Sequence, residues 1–169
     1  FARVLEFNLQ AGIHGFWLAG GSGESIMLDD DENKRLATVA AEVVGDRGVN
    51  IMHVGSPTTR RSAAMAEHAA SVGADAICCV PPFFYRRTDE EIVEHYRVVA
   101  AAADLPLFAY NLPTLTGVEI TVDLMRKIAE GVPQLRGLKH SAPHFGTMME
   151  FLTMGLDCFI GNCGLLLPG

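Results

Sequence analysis

Six short, almost wholly apolar runs recur along the chain, separated by amphipathic stretches of helical period. They occupy 15–20, 49–55, 74–80, 105–111, 135–139 and 157–161. A run that is apolar at nearly every position is buried on both faces, as the strands of a parallel sheet are. The stretches between them open on helix-start signals. Asp29 with Glu32, and Thr88 with Glu91, each place a side-chain oxygen at the N-cap and a carboxylate three residues later, the pattern of a capping box. Thr121 and Pro143 open two further helices, 63–73 forms another that Gly73 closes, and 1–11 forms the first. The expected order is five strand-plus-helix units and a sixth strand, an α/β chain with a parallel sheet.

Residues at the strand ends give the repeat. Gly20, Gly55, Pro81, Tyr110, Lys139 and Gly161 are spaced by 35, 26, 29, 29 and 22 residues. A unit near 30 residues suits a (β/α)8 TIM barrel and a doubly wound sheet alike, and in both folds chemistry collects at the carboxyl ends of the strands. The first helical stretch has no cap before it, and Leu165-Leu166-Leu167-Pro168-Gly169 is apolar with nothing left to bury it. The expectation is therefore one domain, 1–169, covering about five to six units of a barrel and cut at both ends.

Composition excludes several classes. With 49% hydrophobic and 20% charged residues the chain can build an ordinary globular core. The net charge is −7, and the basic pairs Arg60-Arg61 and Arg86-Arg87 lack aromatic interleaving, so nucleic acid is not an expected partner. No apolar run approaches the ~20 residues that span a membrane. Cys78 and Cys79 should face opposite sides of a strand. None of the four cysteines has structural-zinc spacing. Reduced thiols in the cytoplasm are the simplest reading. His53, His140 and His144 lie near strand ends without acids at ligand spacing, which favours packed or solvated histidines over a metal site.

Two side chains at strand ends carry chemistry. Burial of Lys139 favours its neutral amine, the nucleophile that attacks a ketone to form an imine; the alternative is a lysine that snorkels or pairs with an acid. Tyr110 stands one repeat earlier, where a parallel sheet would bring its hydroxyl toward that amine as a proton carrier; otherwise it is a core tyrosine. Gly20, Gly21, Ser22 and Gly23 follow the first strand. Their backbone N–H groups, with the Ser22 hydroxyl, can cradle a carboxylate, although such a turn is also simply a turn.

Gly20-Gly21-Ser22-Gly23-Glu24, Tyr110-Asn111-Leu112-Pro113 followed by Thr116-Gly117, and Gly137-Leu138-Lys139 occur in an order and spacing that resemble the dihydrodipicolinate synthase/N-acetylneuraminate lyase family of class I aldolases. The resemblance implies a (β/α)8 barrel assembled as a homotetramer or dimer. It implies Lys139 as the imine-forming lysine, Tyr110 as the proton relay and Gly21-Ser22 as the carboxylate-binding pair, with Gly161 joining the substrate-binding positions. The implied substrate is pyruvate or a 2-oxo sugar acid, with no metal or organic cofactor. Many members carry two hydroxyl residues where this chain has Gly21-Ser22. The family often supplies a neighbouring subunit's tyrosine where Phe84 stands, beside Tyr85. The synthase branch has an arginine at Leu115, and the sialic-acid lyases have acids where Asn162-Cys163-Gly164 follow Gly161. The glycine loop is also similar to that of deoxy-oxoglucarate dehydratases. The rival readings are thus a dehydratase on the same imine platform and a non-catalytic sensor.

Overall fold

In a computed structural model, which describes residues 1–165, six strands form one sheet in the order β1-β2-β3-β4-β5-β6, every neighbour parallel. The strands are β1 (Gly15–Leu18), β2 (Val49–His53), β3 (Ala76–Cys79), β4 (Leu107–Asn111), β5 (Leu135–His140) and β6 (Asp157–Ile160). Around them run α1 (Ala2–Gln10), α2 (Asp30–Val44), α3 (Thr59–Ser71), α4 (Asp89–Ala103), the single turn α5 (Pro113–Thr116), α6 (Val122–Gly131) and α7 (Phe145–Thr153). The six strands and the helix between each pair match the expectation. The apolar end expected at 165–169 lies, beyond Leu165, outside the described residues.

Local chemistry sets the helix ends. Both capping boxes form: Glu32 N–H donates to Asp29 Oδ1 at 2.8 Å, and Glu91 N–H donates to the Thr88 hydroxyl at 3.3 Å. Thr121 caps α6 through Leu124 N–H. The helix expected at 63–73 instead begins at Thr59 and ends at Ser71. Arg60 and Arg61 occupy its solvated first turn and break the apolar period that would mark its start. Pro143 precedes α7 rather than opening it; His144 is the N-cap.

The sheet is rolled. Six strands spaced about 4.8 Å apart in a flat sheet would hold β1 and β6 about 24 Å apart. Yet the rings of Trp17 on β1 and Phe159 on β6 lie 5.3 Å apart, and both touch Phe108 on β4. Apart from the single turn α5, the helices pack against one side only. Leu18, Met52, Ile77, Cys79, Leu107 and Leu138 turn outward into the cluster they share with α1–α4, α6 and α7. Ile51, Ala76, Cys78, Phe108 and Tyr110 turn inward with Trp17 into a second cluster that contains no helix residue. Helices on one face and an inward aromatic lining exclude the doubly wound alternative. The described residues form a six-strand arc of a (β/α)8 barrel. Cys78 and Cys79 face opposite sides as expected.

No helix among the described residues is long and apolar enough to cross a membrane. The four cysteines are free.

Candidate active site

Tyr110 and Lys139 are register partners on adjacent strands, and strand alternation turns both inward at the carboxyl end of the arc. The Lys139 amine stands 4.5 Å from the centroid of the Tyr110 ring and 5.3 Å from that of Trp17. It is half-buried, and no ion pair among the described residues includes it. Among those residues the acid-paired alternative for this lysine is therefore absent.

The glycine loop folds against this pair. After β1, Ala19 adopts a left-handed φ of 52°, an uncommon conformation for a residue with a Cβ, and turns the chain into the loop. Gly21–Gly23 then make one 3-10 turn, closed by Gly23 N–H to Gly20 carbonyl at 3.0 Å and Glu24 N–H to Gly21 carbonyl at 3.2 Å. The first N–H groups of such a turn, those of Gly21 and Ser22, have no acceptor within it. A Cβ on Gly20 would sit 3.6 Å from Lys139 Nζ, and one on Gly21 would sit 3.7 Å from the Tyr110 hydroxyl. The two glycines thus keep the space beside amine and phenol clear. Gly161, after β6, closes the other side: a Cβ there would lie 3.1 Å from Lys139 Cε and overlap the Ser141 hydroxyl. Gly23 stands in open space, away from the pair. The structure therefore gathers Lys139, Tyr110, Gly20, Gly21 and Gly161, with Ser22 on the rim.

Tyr110 divides the end of the arc into two cavities. One, of about 140 Å³, reaches from Gly20, Gly21 and Tyr110 to Ser25 and His53. The other, of about 420 Å³, is open and lined by Ser22, Tyr110, Ser141, Gly161, Asn162 and Cys163. Lys139 lies beside, not in, the walls of both. Leu112 and Leu115, from the start of the β4–α6 connection, border both cavities.

His53 and Trp17 belong to this region, although sequence spacing does not single them out as site residues. His53 packs edge-on against the Tyr110 ring, 5.7 Å between centroids. Its Nδ1 is 3.4 Å from the Ser25 hydroxyl, while its Nε2 is buried without a partner. Burial pushes its pKa down to about 4, so the ring is neutral near pH 7. His140 is buried on the opposite face and His144 is exposed, so the three histidines do not converge. Among the described residues, no three His, Cys, Asp or Glu side chains form a group that could hold a metal ion. Burial pushes the Cys78 thiol up to about 12, which keeps it protonated and unreactive. The signal that would place His53 is its even spacing from Ile51 on β2, which puts it on the face shared with Cys78, its register partner.

Comparison with known proteins agrees with this fold. The Dihydrodipicolinate synthetase family matches residues 1–164. An uncharacterized DapA-like lyase of Halobacterium salinarum is 39% identical over 164 residues, covering 95% of this chain and 53% of that protein. An N-acetylneuraminate lyase of Enterobacter sp. (strain 638) is 34% identical over 161 residues, covering 95% of this chain and 54% of that protein. The crystal structure of dihydrodipicolinate synthase from Aquifex aeolicus superposes with a TM-score of 0.94 at 29% identity, covering 99% of this chain and 58% of that one. The chain spans about half the length of the curated relatives it matches. With nearly its whole length matched in sequence and in fold, the chain belongs to the dihydrodipicolinate synthetase family, whose members carry the names of both synthases and lyases.

Proposed function

We propose that the protein containing this chain is a class I aldolase or lyase that forms an imine between Lys139 and a pyruvate-type 2-oxo acid. The observation that carries the reading is the Lys139–Tyr110 pair: an amine free of acid partners among the described residues, held against a phenol at the carboxyl end of a barrel. Lys139 attacks the ketone carbon, the ketone oxygen leaves as water, and the resulting iminium accepts the electron pair released when the C3–C4 bond breaks. An aldehyde departs and the enamine left on the lysine is protonated and hydrolysed to pyruvate. Tyr110 carries the protons, and the N–H groups of Gly21 and Ser22 hold the carboxylate. The imine itself is the electron sink, so the chemistry requires no metal or organic cofactor. Rotation of the lysine stem past Gly161 brings the amine into the open cavity.

The lining of that cavity favours a 2-oxo sugar acid. Ser22, Ser141 and Asn162 offer neutral hydrogen-bonding groups suited to hydroxyls. A second carboxylate would call for a guanidinium fork, and Leu115 borders both cavities with no donor to give. A cytoplasmic homotetramer or dimer is part of the same reading.

The test is borohydride reduction of the full-length protein with pyruvate. A stable adduct on Lys139 is the expected outcome; an adduct on Lys34 or Lys127 instead, or none, rejects the mechanism. Release of free pyruvate and an aldehyde from a 2-oxo sugar acid separates a lyase from a dehydratase, which releases water and keeps the carbon chain.

A further inference from the structure

Asn111 and His140 directly follow Tyr110 and Lys139, and they form the next pair in the β4–β5 register. Alternation turns them to the opposite face of the sheet, where both are fully buried. Asn111 Nδ2 lies 3.4 Å from His140 Nδ1, and His140 Nε2 lies 3.1 Å from the His144 carbonyl. The Asn111 side-chain oxygen accepts from Ile120 N–H at 3.1 Å, and its amide nitrogen also points to the Ile120 carbonyl at 3.5 Å. These contacts admit one tautomer. The carbonyl of His144 can only accept, so the imidazole proton sits on Nε2 and the bare Nδ1 accepts from Asn111. Each polar atom of the two side chains then has a partner.

The consequence lies on the other side of the sheet. Ile120 ends the connection that begins at Leu112 and carries Leu115 along both cavities. His144 ends the short segment that begins with Ser141, a wall of the open cavity. A single buried pair thus ties two site loops to each other, one residue behind the amine and the phenol.

We propose that Asn111 and His140 are positioning residues that hold Lys139, Tyr110 and their two flanking loops in reactive register, an inference that rests on the imine reading of Lys139. Neither residue touches substrate. The clamp needs a neutral imidazole, because a proton on Nδ1 would point at the Asn111 N–H and break the contact. Burial favours that neutral form by holding the His140 pKa below its ordinary value. The His144 carbonyl and the Glu119 carboxylate oppose this, the His144 imidazole assists it, and Phe151 of α7 presents only its ring.

The experiment uses His140→Leu and His140→Gln in the full-length protein, reading the rate of borohydride-trapped pyruvate adduct per folded molecule. Leucine removes both hydrogen bonds and is expected to slow trapping at saturating pyruvate about 100-fold, the cost of a ~1 Å misplacement, with the half-saturating concentration little changed. Glutamine can accept toward Asn111 and donate toward His144, and should restore most of the rate. Equal wild-type rates in both variants, or losses that only follow the folded fraction, would overturn the clamp. Nitrogen-15 NMR of the wild type tests the clamp independently of Lys139 chemistry: the Nε2–H tautomer is expected, and an Nδ1–H tautomer would sink the proposal. If the wild type formed no adduct the imine reading would fall, and NMR would still decide the clamp.

Discussion

The two faces of the rolled sheet are built from alternate residues of the same strands, yet they are finished differently. On β3, Ile77 and Cys79 pack outward against helices, while Ala76 and Cys78 turn inward. The outward face uses several polar groups in its packing: the Tyr96 hydroxyl donates to the Cys79 carbonyl at 3.0 Å, and His95 reaches both Thr59 and Cys79. Asn50 Oδ1 on β2 and Asn33 Oδ1 on α2 are nonetheless buried without a partner, far from the lysine. The inward face leaves polar atoms unspent, with Trp17 Nε1 and His53 Nε2 buried and unpartnered. An unpaired buried polar group costs about 1–3 kcal/mol. Such groups beside a lysine and a cavity are the ones a ligand or an ordered water can satisfy. The helix-packed core lies on the outward face and the proposed chemistry on the inward rim, and substitutions should separate them.

The largest expected effect is on the inward rim. Tyr110→Phe removes one hydroxyl and keeps the ring against Lys139 and His53. It should cut turnover by about 10² to 10⁴, the range for a general acid–base group, while the denaturation midpoint barely moves. A variant that kept nearly full turnover would return Tyr110 to a packing role. One that lost stability in step with activity would break the separation of faces from the other side.

Ile77→Ala tests the outward face. Ile77 is fully buried, and removing its branched end leaves a cavity between β3 and the helices. The expected loss is about 2–5 kcal/mol in chemical denaturation, with trapping of pyruvate unchanged in the molecules that remain folded. Equal damage to both readouts would show that the sheet transmits core strain to the rim.

How much of this is legible in the chain follows from the same two faces. Parallel strands buried on both sides leave runs apolar at nearly every position, so 49–55 and 74–80 announce themselves without any knowledge of curvature. The 29-residue spacing of Tyr110 and Lys139 also survives translation into register, because one βα unit advances the chain by one strand. What periodicity hides is which face an individual polar residue meets. His53 and His140 both close strands; alternation can assign each to a face of its strand, and the roll of the sheet shows which of those faces is the inner one that meets Tyr110. The start of α3 is hidden for a different reason. Its first turn carries charge rather than apolar side chains, and its N-cap Thr58 makes no side-chain capping bond that a motif could reveal.

The smallest effect uses acid to compare the faces. His95 is almost completely buried among α4, α3 and β3, and burial pushes its pKa down to about 4. An unfolded histidine titrates near pH 6.5. Above that pH both states are neutral and stability is independent of His95. As pH falls from 6.5 toward 4, the unfolded chain takes up a proton that the folded one refuses, so stability drops. At pH 5 the loss is about 2 kcal/mol for a group shifted this far, and the window from pH 7 to 5 lies above the ordinary carboxylate range. His53 is pushed to about 4 as well, but it borders the cavity beside Tyr110, where water entering can hydrate Nε2 and soften the penalty. His95→Gln keeps a donor and an acceptor near Thr59 and Cys79 without a titrating ring. Urea denaturation at pH 7 and pH 5 should show that His95→Gln removes close to its full share of the acid loss, and that His53→Gln removes less. The reverse order would mean that the inward face is the drier of the two, and that the cavity beside Tyr110 is closed to water.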